Sequence, residues 1–337
     1  MVGLAGAPAA SLGNAGSVAP AGSLWALGDT GTPASPWPLR GEQQAVAAAL
    51  RRLDREAPAD AVVLLGDNFY PDGLREREFK DRLRENLVSP YCRFLRLTPR
   101  GRGSLSRQCR ADPSPREGVE MLAVLGNHDY GERESPLLQA SRIPEYLANW
   151  RMPSGQAEGV ELPGGLSVVL LQSMPIVRGE DTDGLLDQLR RARGPWRVVA
   201  AHHPVIDPGR GYDRSYADAV AEAMDRAGVP VHLFLAGHEH SLQVLEGEPP
   251  LPPLQVVSGA GSDVRELSAT DAPRPFARAG LGFARVDAFE GTDARLEITV
   301  YAVSDPALGG ILGGRARPVA RFALRPDGGV TELAATR

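Results

Sequence analysis

No stretch of this chain approaches the roughly 18 to 20 consecutive apolar residues that a helix needs to cross a bilayer, which argues against a membrane-spanning helix. No basic segment followed by an apolar one opens the sequence, so no signal peptide is visible. Positive charge is not in excess: 37 Lys and Arg face 42 Asp and Glu, for a net charge of -5. That balance speaks against nucleic acid as a partner, because phosphate-backbone binders carry a basic face. Lysine is almost missing, with Lys80 the one example, a skew that reads as codon bias rather than mechanism. There is no internal repeat and no long linker, which favours a single domain.

What is present suits a soluble globular protein. Hydrophobic residues make up 42% of the 337 and charged residues 23%, enough for a sizeable core. Residues 1–22 are mostly Ala, Gly, Ser and Pro and read as a flexible tail. Residues 326–337 read as a second tail, and 23–325 as the domain. Cys92 and Cys109 bracket a polar stretch rich in Arg, Ser and Gly, and residues 92–118 read as a surface insertion. A Cys92–Cys109 disulfide would close it; two unrelated thiols are the alternative. The disulfide points to an oxidising compartment, periplasmic or secreted, with the cytoplasm as the other option.

Short runs rich in Val, Leu and Ala recur at 23–29, 61–67, 121–129, 197–204 and 231–240. Each reads as a strand buried on both faces. Amphipathic helical patterns lie between them at 42–56, 74–87, 183–193 and 216–227. The alternation predicts an α/β sandwich. Toward the end, GFARVDAF, RLEITVYAV and PVARFALRP read as antiparallel strands.

Each of the five runs ends in a polar turn. Those turns carry Asp29, Asp67, Asn127, His202, and the pair His238 and His240. Ligands of α/β sheets bind at the carboxyl ends of strands, so these side chains can converge. A Gly-Asp turn alone is common and means little, and a lone His is more often structural than a ligand. All five together are another matter, and five of the six histidines sit in these motifs. Carboxylates, imidazoles and an amide oxygen suit zinc, iron or manganese. Six such groups are too many for one tetrahedral ion. They suit two ions about 3.5 to 4 Å apart, the arrangement used for phosphoester cleavage, with Asp67 as the natural bridge.

The order GDTG, GDNFY, GNHD, VAAH and GHEH resembles the calcineurin-type metallophosphoesterases, and the Tyr of GDNFY narrows the resemblance to the purple acid phosphatase branch. EFKDRLRENL, PEYLANW, VVSGAGSDVR and GFARVDAFEG resemble segments of the small members, so the likeness spans about residues 22 to 325. It implies a four-layer α-β-β-α sandwich with two mixed β-sheets. It also implies Fe3+ held by Asp29, Asp67, Tyr70 and His240. A divalent ion (Fe2+, Zn2+ or Mn2+) would be held by Asp67, Asn127, His202 and His238. The implied reaction is acid hydrolysis of a phosphomonoester of a small molecule by metal-bound hydroxide. His128 matches the position for substrate contact and leaving-group protonation. Asp129 is expected to fix a histidine or the turn.

Three departures from the family pattern stand out. His203 replaces a Tyr, and either contacts substrate or lines the site. The loop VIDPGRGYDRS lacks an outer His, which leaves the general-acid role to His128 or His203; Arg210, Tyr212 or Arg214 could meet phosphate there, or simply be solvated. Gln172 and Ser173 stand where an Asp is usual. These changes leave open a phosphodiesterase or phosphotriesterase with the same site. A catalytically inactive binding module of the same fold is the alternative of another class.

Overall fold

The computed structural model describes residues 19–32, 41–105, 117–304 and 314–335. Most of the expected N-terminal tail, residues 1–18, lies outside the described residues. So does Cys109, and with it the expected pairing with Cys92.

An eight-stranded sheet is built from both ends of the chain. Its first strands are β1 (Gly22–Leu27), β2 (Ala61–Leu65), β3 (Glu120–Val124) and the two-residue β4 (Trp150–Arg151). A seven-stranded sheet takes β5 (Ala157–Leu162), β6 (Leu166–Leu171), β7 (Trp196–Ala200), β8 (Leu233–Ala236), β9 (Leu242–Glu246), β10 (Leu254–Ser258) and β11 (Phe276–Arg278). The chain then returns to the first sheet with β12 (Gly282–Phe289), β13 (Arg295–Ser304), β14 (Arg315–Leu324) and β15 (Val330–Leu333). The strand orders are β15-β14-β13-β12-β1-β2-β3-β4 and β11-β9-β10-β8-β7-β6-β5. Both sheets are mixed: β1, β2 and β3 run parallel while β1 and β12 run antiparallel, and β6, β7, β8 and β10 run parallel while β9 and β10 do not.

The pleat explains why these strands read as unbroken apolar runs. Successive side chains alternate between faces. Leu24 and Ala26 point into the layer between the sheets, where they meet Val168, Val198 and Leu235. Trp25 and Leu27 point the other way, onto Val46 and Leu50 of the helix Glu42–Glu56. On the far side, Val199 and Phe234 pack under the helices Asp183–Arg191 and Arg214–Ala227. Both faces of both sheets are thereby covered, giving the α-β-β-α sandwich.

Three sequence expectations need correction. Residues 92–118 do not form a surface insertion throughout: Cys92, Phe94, Leu95, Leu97 and Leu105 are buried in the helix-side core. The high Arg and Ser content masked a spaced set of apolar anchors. Residues 326–337 are not simply a tail, because β15 pairs antiparallel with β14 at the sheet edge. Its few apolar residues gave no strand signal. The helix expected at 74–87 starts later; helical turns run from Glu76 to Phe94, with a π segment at Leu83–Val88. Among the described residues no helix is long and apolar enough to cross a membrane.

Candidate metal centre

The parallel strands bring their carboxyl ends to one rim where the two sheets meet. The Gly28 N–H donates to the Ser258 carbonyl across the sheets at 2.8 Å. The glycines of the strand-end turns make this approach possible. A Cβ on Gly126 would lie 2.2 Å from Asp67 Oδ1, and one on Gly237 would lie 2.6 Å from the Leu65 carbonyl oxygen. Neither position has room for any side chain.

Among the described residues, three non-glycine residues have positive φ: Asp29 at 57°, Asp67 at 52° and His238 at 69°. All three are ligand candidates from the sequence. Holding such residues in the left-handed region costs on the order of 1 to 3 kcal/mol each. Burial of a single Leu or Val contributes about 1.5 to 3 kcal/mol, so a packed sandwich can hold three strained turns. The strain aims the side chains inward.

The seven candidates converge as two clusters that share Asp67. In the first, the Tyr70 hydroxyl lies 3.0 Å from Asp29 Oδ1, 2.8 Å from Asp67 Oδ2 and 3.0 Å from His240 Nε2. In the second, Asn127 Oδ1 lies 3.1 Å from His202 Nε2 and 3.0 Å from His238 Nδ1, and those two nitrogens are 3.1 Å apart. Asp67 Oδ1 reaches His202 Nε2 at 3.6 Å.

Each imidazole is held from behind. His202 Nδ1 donates to the Leu65 carbonyl at 2.8 Å, and His240 Nδ1 to Asp263 Oδ2 at 2.9 Å. The His238 ring is held by the Gly211 backbone. A donor proton used behind the ring leaves a bare lone pair in front. In the second cluster this puts two lone-pair nitrogens and an amide oxygen about 3 Å apart with no proton between them. Three acceptors facing one another repel, and a cation at their centre resolves the repulsion. The donor chemistry therefore fits a metal ion.

Electrostatics agree. Burial pushes the Asp29 carboxyl up to about 6, helped by the charge of Asp67 and opposed by His240. Burial, then Asp29 and Asp67, drive the Tyr70 phenol well above its ordinary range. Burial, then His238, holds His202 far below an ordinary imidazole, and burial also lowers His238. For His240 the burial penalty is outweighed by Asp29 and Asp263, so its pKa rises. Burial and the neighbouring charge of Asp67 together make an ionised Asp29 costly unless a cation lies beside it.

Around the clusters the structure places the remaining candidates. The His128 backbone N–H donates to Asp67 Oδ1 at 2.9 Å, and its ring packs edge-on against Tyr70. His128 Nδ1 bonds the Pro71 carbonyl, which leaves Nε2 open. Buried His203 sits beside His238, with ring centroids 4.6 Å apart. Asp129 takes backbone N–H groups from Asn68, Phe69 and Gly126, so it fixes the two turns, as expected. Arg210 and Arg214 are exposed, and Asp213 between Tyr212 and Arg214 caps the following helix through the Tyr216 N–H. His232 lies at the opposite end of β8, where its Nδ1 accepts the Arg197 N–H.

Sequence reasoning missed Asp263 and understated Ser173. A signal existed for Asp263: β10 ends in the turn SGAGSD, one more apolar run closed by an acid. Ser173 lies behind His203, and nothing in its spacing announces that contact.

A family model described as calcineurin-like phosphoesterase matches residues 22–242, which hold all the candidate ligands. Purple acid phosphatase 17 of Arabidopsis thaliana is 26% identical over 300 residues, covering 79% of each chain. Among solved structures, PhoD gives a TM-score of 0.61 at 11% identity over 94% of this chain and 72% of that one. GAP50, the anchor in the inner membrane complex of Plasmodium, gives 0.60 at 15% identity over 83% and 84%. Purple acid phosphatase PPD1 from yellow lupin seeds gives 0.56 at 13% identity over 88% and 53%. At such low identity the structural likenesses speak for the fold.

Proposed function

Because this chain belongs to the calcineurin-like phosphoesterase family, we propose that it is an acid phosphatase, hydrolysing phosphomonoesters of small molecules at a dinuclear metal centre. The observation that carries the reading is the pair of donor clusters sharing Asp67. Asp29, Asp67, Tyr70 and His240 would hold Fe3+; Asp67, Asn127, His202 and His238 would hold Fe2+, Zn2+ or Mn2+. Bound ions of this kind supply Lewis acidity and a lowered water pKa. The chain's own part is to hold seven donors in place, keep the imidazoles unprotonated in front, and bring His128 and His203 to the substrate. His128, with Nε2 open, is the first candidate to protonate the leaving oxygen.

The deciding experiment measures metal content beside initial rates on an aryl phosphate monoester and the matching diester, from acidic to alkaline pH. About two metals per chain and a monoester preference at acidic pH are expected. A diester preference would move the substrate class. Bound metal with no turnover of either would favour a binding module.

Two further outcomes are expected. Protein purified in air should show a visible phenolate-to-iron band that Tyr70→Phe removes; a colourless, iron-free, active enzyme would overturn the ferric assignment. Metal affinity should also fall in acid. Asp29 keeps its proton up to about pH 6 in the unloaded chain, so a cation must displace that proton below pH 6. The loss is about tenfold per pH unit for each proton displaced. His240, whose pKa is raised by Asp29 and Asp263, competes through its proton as well, whereas His202 and His238, whose pKa values are lowered, do not add to the competition until lower pH. Calorimetry in two buffers of different ionisation heat counts the released protons. An affinity flat from pH 5 to 7 would remove Asp29 from the ligand set.

A further inference from the structure

We infer that His203 faces the centre as a hydrogen-bond donor, its Nε2–H aimed at a phosphoryl oxygen of the substrate, and that buried Ser173 sets that state. The inference rests on the phosphoester-hydrolase reading and adds a positioning residue to it.

By distance alone His203 could pass for a third imidazole ligand. One of its nitrogens lies within 4.8 Å of the donor atoms of His202 and His238. Accounting for protons separates the possibilities. Ser173, fully buried, opens the short helix Ser173–Val177 after β6. Its Oγ accepts the His203 backbone N–H at 3.3 Å and lies 2.8 Å from His203 Nδ1. A hydroxyl carries one proton. Among the described residues that proton has no acceptor other than Nδ1. Were Nδ1 protonated, the hydroxyl would be a buried donor with no partner, which native interiors rarely tolerate. The hydroxyl therefore donates to Nδ1, and the ring proton resides on Nε2.

The neighbour shows the opposite arrangement. Behind His202 stands a carbonyl, an acceptor only, which draws the proton to Nδ1 and leaves Nε2 bare for a cation. Behind His203 stands a hydroxyl, which donates and leaves Nε2 protonated. Two adjacent histidines thus hold opposite tautomers because of what lies behind each. A protonated nitrogen cannot coordinate a cation, but it can donate to an anionic oxygen.

The test uses the zinc-loaded full chain, labelled with 15N-histidine, and inorganic phosphate as the probe. Wild type should show His203 protonated at Nε2, a preference that Ser173→Ala weakens. His203→Phe should keep both metals and lose about tenfold to a hundredfold in phosphate affinity by calorimetry. His203→Gln, which returns an N–H near the place of Nε2, should recover most of that loss. A lost metal in His203→Phe would make His203 a ligand and overturn the inference. So would unchanged phosphate affinity, or a wild-type ring protonated at Nδ1, even in an active enzyme. A wild-type chain that binds no metal and cleaves no phosphoester would instead sink the hydrolase reading, and this inference with it.

Discussion

Asp67→Asn is expected to leave the chain folded, drop bound metal from about two ions to below one, and cut kcat/KM on an aryl phosphate by roughly a thousandfold or more. Asn tolerates the left-handed backbone that Asp67 occupies at φ 52°, so the turn survives. What is lost is the second anionic oxygen. Asp67 Oδ2 lies with Tyr70, Asp29 and His240, while Oδ1 faces His202 and takes the His128 N–H. One carboxylate therefore belongs to both clusters, and among the described residues no other side chain is placed to replace it. Retention of two metals would refute the bridge.

The same substitution should act in the opposite direction on the unloaded protein. Burial, reinforced by Asp67, pushes Asp29 up to about 6 and Asp129 up to about 7. Groups raised in this way stabilise the fold fully below the unfolded value of about 3.8. That contribution is lost as pH rises through 6 to 7. At pH 7 without metal, the Asp29 and Asp129 carboxyls oppose the fold, and Asp67→Asn removes the charge that presses on both. In a chelator at pH 7 its Tm should exceed that of wild type, and the gap should narrow near pH 4. A lower Tm at pH 7 would show that the hydrogen bonds of Asp67 outweigh its charge. The strain and the crowded acids are tolerated because the fold serves a cation.

Much of this arrangement is legible in the sequence, and the reason is physical. Strands covered on both faces must be apolar at every position, so the polar residue that ends each run stands out. That is how Asp29, Asp67, Asn127, His202, His238 and His240 announce themselves before any coordinates. Tyr70 is legible only by resemblance, since an aromatic beside a turn is ordinary. The groups that orient the ligands are the least legible. The Leu65 carbonyl behind His202 belongs to every residue's backbone and leaves no trace in composition. Asp263 and Ser173 come from strand ends on the second sheet, far along the chain from the imidazoles they hold. Helix periodicity also misleads around residues 74–87, where the π segment Leu83–Val88 shifts the register of buried positions. In residues 92–105, charge-rich composition hides Phe94 and Leu95, which are fully buried.

His128→Ala should keep both metals and lose about a hundredfold to ten-thousandfold in kcat on an alkyl phosphate, the usual worth of a positioned acid. The size of the loss should depend on the leaving group. An aryl oxide such as nitrophenolate departs without a proton, so the variant should suffer little on that ester. An alkoxide needs the proton, so the full loss appears there. A structural role would weaken both substrates equally, because a disturbed turn affects every ester alike. The geometry makes that separation testable: the side chain of His128 touches the Pro71 carbonyl and the Tyr70 ring, whereas its contact with Asp67 comes from the backbone N–H, which alanine retains. Equal losses on both esters would return His128 to a packing role.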